Sequence, residues 1–294
     1  MRFSDEWMIP VAPGQAVDWG WAPSGGAPKA VTWHWTATAD LARCDALIGG
    51  ASAERQGRAS AHYGIGRSFE EGIHRYVSLA NRSWHAGKNQ TLRWDGRPME
   101  SEDDKGARTC IGVETVNVGF ARDEFPADRD WISAASVDGR RRMLVQPWTE
   151  EQVELMIAVG WEIIGRWPHL GPRDHHGHHD LCPGYKLDVA GFPFARVLRG
   201  IYQDESIPDV WSGVWTPRGR RAALRQLRYG PLPPVDVDVW TRLDDLALRR
   251  FQADQDHQPD GLWTTAVSWK VWEAQGGNIS LPPDSSSHPL DDRA

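Results

Sequence analysis

Hydrophobic and polar residues follow the periods of strands and helices in residues 30–202. Short stretches rich in β-branched and aromatic side chains predict strands, which the sequence contains at 30–36, 60–67, 72–79 and 109–120. Apolar residues 3, 4, 7, 10 and 11 positions after Val153 predict a helix with one buried stripe, ending near Arg166. Thr149 to Gln152 has the sequence of a capping box at the start of that helix. Shorter helices are predicted at 38–48 and 192–202, and loops at 88–108 and 121–148.

The pattern changes after residue 203. The tripeptides VWT, VWT and LWT begin at 214, 239 and 262, and each precedes a short amphipathic segment. Recurrence at this period is typical of small units packed on each other, so we predict an all-α module of three helices over 214–277. The predicted helices are 220–227, 244–252 and 266–275. The domain plan is a first domain at 1–205, a linker at 206–213, the module, and a flexible tail at 278–294 rich in Gly, Pro, Ser and Asp.

Composition and charge reduce the number of functions that the protein can have. The net charge of −7 argues against a protein that binds nucleic acid or an anionic membrane by general electrostatics. Three widely spaced cysteines do not form a disulfide framework. The first residues lack a signal-peptide pattern, and no apolar run is long enough for a membrane span, so synthesis in the cytoplasm without membrane insertion is expected. The 17 tryptophans suit carbohydrate or peptide surfaces as well as cores.

Residues 175–188, HHGHHDLCPGYKLD, contain a high density of residues that can bind a metal ion. Imidazole and carboxylate groups are the usual ligands of a catalytic zinc ion, which keeps one position open for water. We interpret His178 and Asp188 as two ligands, with the Cys-Pro-Gly turn between them folding the chain back and Lys186 close to the site. The alternative is a solvated, histidine-rich loop without a metal.

Two residues on predicted strands are candidates for the same site. His34 lies within the strand at 30–36, where a histidine is more often a hydrogen-bonded core residue than a ligand. Glu114 lies among apolar residues of the strand at 109–120, and burying a carboxylate is costly unless it is paired or faces a site. From the pattern alone, an outward-facing Glu114 is an equal alternative.

Four motifs together resemble a known family. VTWHWTAT, SAHYGIGR with the following WHAG, CIGVE and GHHDLCPGYKLD occur in the order found in the zinc-dependent N-acetylmuramoyl-L-alanine amidases of the amidase-2 family, which share their fold with peptidoglycan recognition proteins. The match extends over a motif core at 30–195. The resemblance implies an α/β fold, with a central mixed β-sheet flanked by helices, ahead of the C-terminal three-helix module.

The resemblance also assigns roles. The residues that match zinc ligands are His34, His178 and Asp188, and those that match catalytic groups are Glu114, as general base and acid, and Lys186, as oxyanion stabiliser. His85 matches a histidine that contacts substrate. Tyr185 stands where the family usually has arginine, which bears on a substrate contact. Cys182 is a rival third ligand, since a related branch uses cysteine, but the spacing from His178 favours Asp188.

The implied reaction is hydrolysis of the amide between N-acetylmuramic acid and L-alanine in peptidoglycan, with Zn²⁺ as cofactor and peptidoglycan or muropeptide as partner, by a protein expected to be a monomer. The C-terminal repeats resemble a peptidoglycan-binding module, although a helical stability module without a ligand is the alternative. We rank a phage or prophage endolysin first. A non-catalytic recognition protein and a cytoplasmic enzyme that recycles anhydromuropeptides are the competing interpretations.

Overall fold

The computed structural model describes residues 3–9, 17–18, 20–21, 24–49, 59–234 and 236–277. The predicted tail at 278–294 lies outside the described residues, as does part of the N-terminal arm. The strands are β1 (Phe3–Ser4), β2 (Val17–Asp18), β3 (Ala30–Trp35), β4 (Tyr63–Ile65), β5 (Ile73–Arg75), β6 (Arg82–Ser83), β7 (Cys110–Thr115), β8 (Ile132–Ala135), β9 (Arg142–Val145) and β10 (His175–Gly177). The helices are α1 (Leu41–Ile48), α2 (Gly106–Thr109), α3 (Glu150–Arg166), α4 (His178–Leu181), α5 (Phe194–Tyr202), α6 (Pro217–Gln226), α7 (Arg242–Asp254) and α8 (Thr265–Ala274).

A six-stranded mixed sheet forms the centre of the fold, in the order β1-β5-β4-β7-β3-β10. Strands β4, β7, β3 and β10 are parallel, and β5 runs antiparallel to β4. Strand β3 is buried along its whole length, including the polar residues Thr32 and His34, because a strand in the parallel part of a sheet is covered on both faces. The expected α/β class with a central mixed sheet flanked by helices is confirmed.

Helices α3 and α5 pack closely over the sheet. A Cβ atom added at Gly160 of α3 would lie 2.2 Å from Ile201, and one added at Gly200 of α5 would lie 2.3 Å from Ile157. The two helices therefore approach each other where each offers a glycine to an isoleucine of its partner. The predicted apolar stripe of α3 is confirmed. None of the described helices is both long and apolar enough to cross a membrane.

The predicted capping box at the start of α3 is only half formed. The Thr149 hydroxyl accepts a hydrogen bond from the backbone N–H of Gln152 at 3.0 Å, as a cap should. The Gln152 side chain does not return to the cap. Its amide donates instead to the carbonyl of Val116, directly after β7, at 2.7 Å, because Gln152 is fully buried and that carbonyl lies within reach.

The loop predicted at 121–148 contains a β-hairpin, so that prediction was wrong for this part of the chain. Strands β8 and β9 pair antiparallel, and the turn between them has Gly139 at φ +70°, with its N–H donating to the carbonyl of Ser136. An Asp-Gly pair is a recognised hairpin signal, present here as Asp138-Gly139. It was obscured by the weak alternation of the flanking residues.

Three C-terminal helices follow the repeated tripeptides, as predicted. The threonine that ends each tripeptide caps the next helix: the hydroxyls of Thr216, Thr241 and Thr264 accept from backbone N–H groups in the first turn of α6, α7 and α8. The tripeptides therefore recur because each of them marks the start of a helix. A fully buried ion pair, Arg221 with Asp244 at 2.7 Å, joins α6 to the start of α7.

The C-terminal helices pack against the first domain. One apolar cluster contains residues of β3, α3, α5 and all three C-terminal helices. Ile207, Val210 and Trp211, which lie in the predicted linker, are buried within this cluster. The Arg220 guanidinium donates to the carbonyl of Ser136 in the β8–β9 turn at 2.9 Å. The division into domains stays a prediction, but these contacts describe an extensive junction between its two parts.

Candidate active site

Parallel pairing brings three predicted residues to one edge of the sheet. His34 of β3 is in register with Glu114 of β7, so their side chains lie side by side. Gly177, the last residue of β10, pairs with Trp33, which places His178 next to His34. Ligand sites in parallel sheets form at the carboxyl ends of the strands, and these residues occupy that edge.

His34, His178 and Asp188 converge through three atoms, and we refer to them as the His–His–Asp cluster. The two Nδ1 atoms are 2.9 Å apart, and Asp188 Oδ2 lies 3.3 Å from Nδ1 of His34 and 3.0 Å from Nδ1 of His178. All three residues are buried. Asp188 reaches the cluster because the chain turns after Cys182, whose carbonyl accepts from the N–H of Lys186 at 2.8 Å.

Hydrogen bonds on the far side of each imidazole fix which nitrogen faces the cluster. Nε2 of His178 is 3.1 Å from the carbonyl oxygen of Ala86, which can only accept, so Nε2 carries a proton. Nε2 of His34 is 2.9 Å from Nδ1 of His85, and Nε2 of His85 is 3.0 Å from the carbonyl oxygen of Cys110. The Nδ1 atoms of His34 and His178 are therefore the ones available as ligands.

The residues present fit a zinc ion. Two imidazole nitrogens and a carboxylate oxygen facing one another at 2.9–3.3 Å require a positive charge among them, either a proton or a metal. Zinc bonds of about 2.0 Å in a tetrahedron separate ligand atoms by about 3.3 Å, close to the observed spacing. Two histidines and one carboxylate leave the fourth position open, which is the arrangement of catalytic rather than structural zinc sites.

Glu114 borders the cluster without joining it. Its Oε1 lies 4.0 Å from Nδ1 of His34, and its buried Oε2 has no hydrogen-bond partner within the described part of the chain. Burial and the nearby charge of Asp188 raise the pKa of Glu114 to about 8. A carboxyl group with a free oxygen and a pKa near neutrality is suited to exchanging protons with a water molecule or substrate.

In the absence of a metal, the three facing atoms of the His–His–Asp cluster share one proton. Burial lowers the pKa of His34 to about 4. Burial acts in the same direction on His178, but the charge of Asp188 and its hydrogen bond outweigh it and raise the pKa of His178 to about 10. Conversely, despite its burial, the pKa of Asp188 is held well below its usual range by the two histidines.

Lys186 and Tyr185 lie at the mouth of the site. The Lys186 ammonium is 5.2 Å from the centre of the Tyr185 ring, which is 62% exposed. The charge of Lys186 lowers the pKa values of Glu114, His34 and His178, which places it near all three. The roles assigned to Lys186 and Tyr185 stay predictions.

Cys182 lies on the other side of the His178 ring. Its buried thiol donates to the carbonyl of Ala86 at 3.6 Å, the same oxygen that accepts from Nε2 of His178. Among the described residues, the group of converging ligand atoms contains Asp188 and excludes Cys182. The geometry therefore favours Asp188 over Cys182 as the third ligand.

Three further buried histidines, His62, His175 and His176, bond to residues of the central sheet. Nε2 of His176 lies 2.8 Å from the Thr32 hydroxyl, and Nδ1 of His175 accepts from the indole of Trp33 at 3.1 Å, so both join β10 to β3. His62 Nδ1 accepts from the backbone N–H of Gly112 in β7 at 3.0 Å. The density of histidines at 175–179 thus serves the scaffold as well as the cluster.

Sequence reasoning missed a contact between the site and the C-terminal helices. Asp180, two residues after His178, is buried and accepts from the backbone N–H of Thr265 at 2.9 Å and from its hydroxyl at 2.7 Å. Asp180 accepts a third hydrogen bond, from the N–H of Gly177 at 2.9 Å, which connects it to the end of β10. Its position in the motif gave no signal, because the partner lies 85 residues away.

The sequence profile of the N-acetylmuramoyl-L-alanine amidases matches residues 24–186, more than half of the chain, and the chain belongs to that family. Among solved structures it resembles the N-acetylmuramyl-L-alanine amidase AmiD from E. coli, with 20% identity, a TM-score of 0.47 and coverage of 86% of this chain and 93% of that chain. It also resembles AmpDH3 from Pseudomonas aeruginosa, with 23% identity, a TM-score of 0.43 and coverage of 84% and 91%. No curated protein matches the chain.

Proposed function

We propose that the protein is a zinc-dependent amidase that cleaves the bond between N-acetylmuramic acid and L-alanine in peptidoglycan. The observation that carries this proposal is the His–His–Asp cluster beside Glu114, whose buried Oε2 lacks a partner among the described residues. Membership in the N-acetylmuramoyl-L-alanine amidase family indicates the type of bond that is cleaved. A recognition protein would need no carboxyl group with a free oxygen next to the cluster, so Glu114 favours catalysis.

Each residue of the site would have its own role in the reaction. His34, His178 and Asp188 would hold zinc, which supplies Lewis-acid activation of water and of the substrate carbonyl. Glu114 would accept a proton from the attacking water and return it to the departing L-alanine nitrogen, through the Oε2 atom that has no partner among the described residues. Lys186 would stabilise the negative charge that develops on the carbonyl oxygen. Burial of the cluster keeps these interactions from being screened by solvent.

We further propose that the substrate is the intact wall rather than soluble fragments, as in an endolysin. The support is the combination of the amidase family with three C-terminal helices whose repeated motif resembles a peptidoglycan-binding module. A binding surface held near the site raises the effective substrate concentration at an insoluble polymer. His85 and Tyr185 were assigned to substrate by resemblance, and of the two, Tyr185 has the exposed surface to make such a contact.

The test of this function uses purified peptidoglycan and a soluble anhydromuropeptide. Zinc-loaded protein is expected to release new L-alanine amino termini and to clear a wall suspension, and protein treated with a chelator to do neither until zinc is restored. Zinc binding without release from either substrate would identify a recognition protein. Cleavage of the soluble muropeptide with the wall left turbid would identify a recycling enzyme.

Zinc uptake should depend on pH through His178. Because its pKa is about 10 without metal, His178 carries a proton at pH 6 that zinc must displace, whereas His34, with a pKa of about 4, does not. We therefore expect release of about one proton per zinc at pH 6, and an affinity that rises about tenfold per pH unit up to the pKa of His178. Calorimetry at pH 6 in two buffers of different ionisation enthalpy measures the release, and a value near zero would contradict the assigned protonation.

A further inference from the structure

His85 connects a cluster histidine to the backbone of the sheet. Its Nδ1 lies 2.9 Å from Nε2 of His34, and its Nε2 lies 3.0 Å from the carbonyl oxygen of Cys110 on β7. The two rings are nearly perpendicular, at 86°, with centroids 5.0 Å apart. Both ring nitrogens of His85 are thus used inside the protein, and the side chain is buried.

The direction of these hydrogen bonds follows from the carbonyl at one end. The Cys110 oxygen can only accept, so Nε2 of His85 donates to it. A neutral imidazole carries a single ring proton, which His85 uses at Nε2, so its Nδ1 accepts. Nε2 of His34 must then carry the proton, and Nδ1 of His34 presents its lone pair to Asp188 and His178.

The backbone also fixes the orientation of the His85 ring. A Cβ atom added at Gly112 would lie 2.4 Å from Cγ of His85, so the ring lies directly on the strand at a position where only glycine leaves room. This packing prevents the ring from turning away from His34. Neither ring nitrogen of His85 is left to form a hydrogen bond with a substrate.

We propose that His85 is a positioning residue that selects the Nδ1-ligating tautomer of His34, rather than a residue that contacts substrate. The inference rests on the proposed zinc site. Histidine ligands in metal sites generally donate their other ring N–H to a fixed acceptor, and loss of that acceptor weakens metal binding about 10–100-fold. Here the acceptor is a second imidazole, held in turn by a strand carbonyl.

Three variants separate the two hydrogen bonds of His85. His85→Asn keeps an amide oxygen near the position of Nδ1, and so keeps an acceptor for His34. His85→Gln keeps a longer amide that reaches Cys110 but loses the acceptor at His34, and His85→Leu loses both. The matched control is His62→Leu, since His62 is also fully buried and bonded to the β7 backbone, at Gly112, without contacting the cluster.

The measurements are the zinc dissociation constant, by competition with a chelator, and the visible spectrum of the cobalt-substituted protein. We expect zinc affinity to fall about 10–100-fold in His85→Gln and His85→Leu, to recover partly in His85→Asn and to be unchanged in His62→Leu. The cobalt spectrum should shift in the same order. Thermal unfolding of each variant separates these effects from a loss of stability, which His62→Leu should show as well.

Two results would overturn the inference, and they differ in what else they affect. Wild-type affinity for zinc in His85→Leu and His85→Gln, with a raised KM, would restore the substrate-contact role and leave the proposed function intact. Absence of zinc binding by the wild-type protein would overturn the zinc site itself, and with it both proposals.

Discussion

Replacing Glu114 with glutamine is expected to lower kcat on peptidoglycan by about 10²–10⁴-fold, the usual contribution of a general acid–base group. Glutamine has nearly the same shape but cannot accept and return a proton. Because Oε1 of Glu114 lies 4.0 Å from Nδ1 of His34 and outside the group of converging ligand atoms, the variant should bind one zinc ion as the wild type does. Rates of L-alanine amino-terminus release, with metal analysis of the same samples, measure both quantities.

The control for this variant is Glu154→Gln, which makes the same change at an exposed position of α3 and should leave kcat unaltered. Glu114→Gln has a second expected effect. Burial disfavours the charged form of Glu114, so an uncharged glutamine should not destabilise the fold. An active Glu114→Gln enzyme with normal zinc would remove Glu114 from the mechanism, and an inactive one without zinc would make it a ligand.

The fold could be predicted from the sequence where one hydrophobic pattern extends along a whole helix or strand. The stripe of α3 extends over about three turns, and the β-branched and aromatic residues of β3 form a buried strand. The hairpin of β8 and β9 was not found, because its strands have four residues each and weak alternation. The capping signal was also only partly informative: the local bond to Thr149 forms, whereas the Gln152 side chain bonds to the distant carbonyl of Val116.

The site was predictable through its resemblance to a family more than through physical pattern. Pattern alone favoured a core role for His34 and left Glu114 equally able to face a site or the solvent. What resolves both is the parallel register of β3 and β7, a long-range pairing that no local period encodes. The same limit explains why the Asp180–Thr265 contact and the His85–Cys110 bond were missed, since each joins residues distant in sequence whose types are ordinary in isolation.

Replacing Asp188 with alanine is expected to weaken zinc binding more than about 100-fold, since even groups outside the ligand shell are worth about 10–100-fold. The variant removes one of three ligand atoms and the negative charge that offsets the two imidazoles. It also removes the group that raises the pKa of His178, so His178 should become neutral near pH 7 and the apo protein should lose its excess proton. Activity should fall with metal content.

The matched variant Cys182→Ala decides between the two candidate ligands. The thiol of Cys182 lies against the carbonyl of Ala86, on the Nε2 side of His178, whereas zinc is expected on the Nδ1 side. Cys182→Ala should therefore keep one equivalent of zinc and most of the activity, at the cost of a small buried cavity. Stoichiometric zinc in Asp188→Ala together with its loss in Cys182→Ala would require the turn between them to rearrange on metal binding, with a thiolate as the third ligand. Metal analysis after dialysis against a weak chelator distinguishes the two outcomes directly, because it measures the ligand set rather than the reaction.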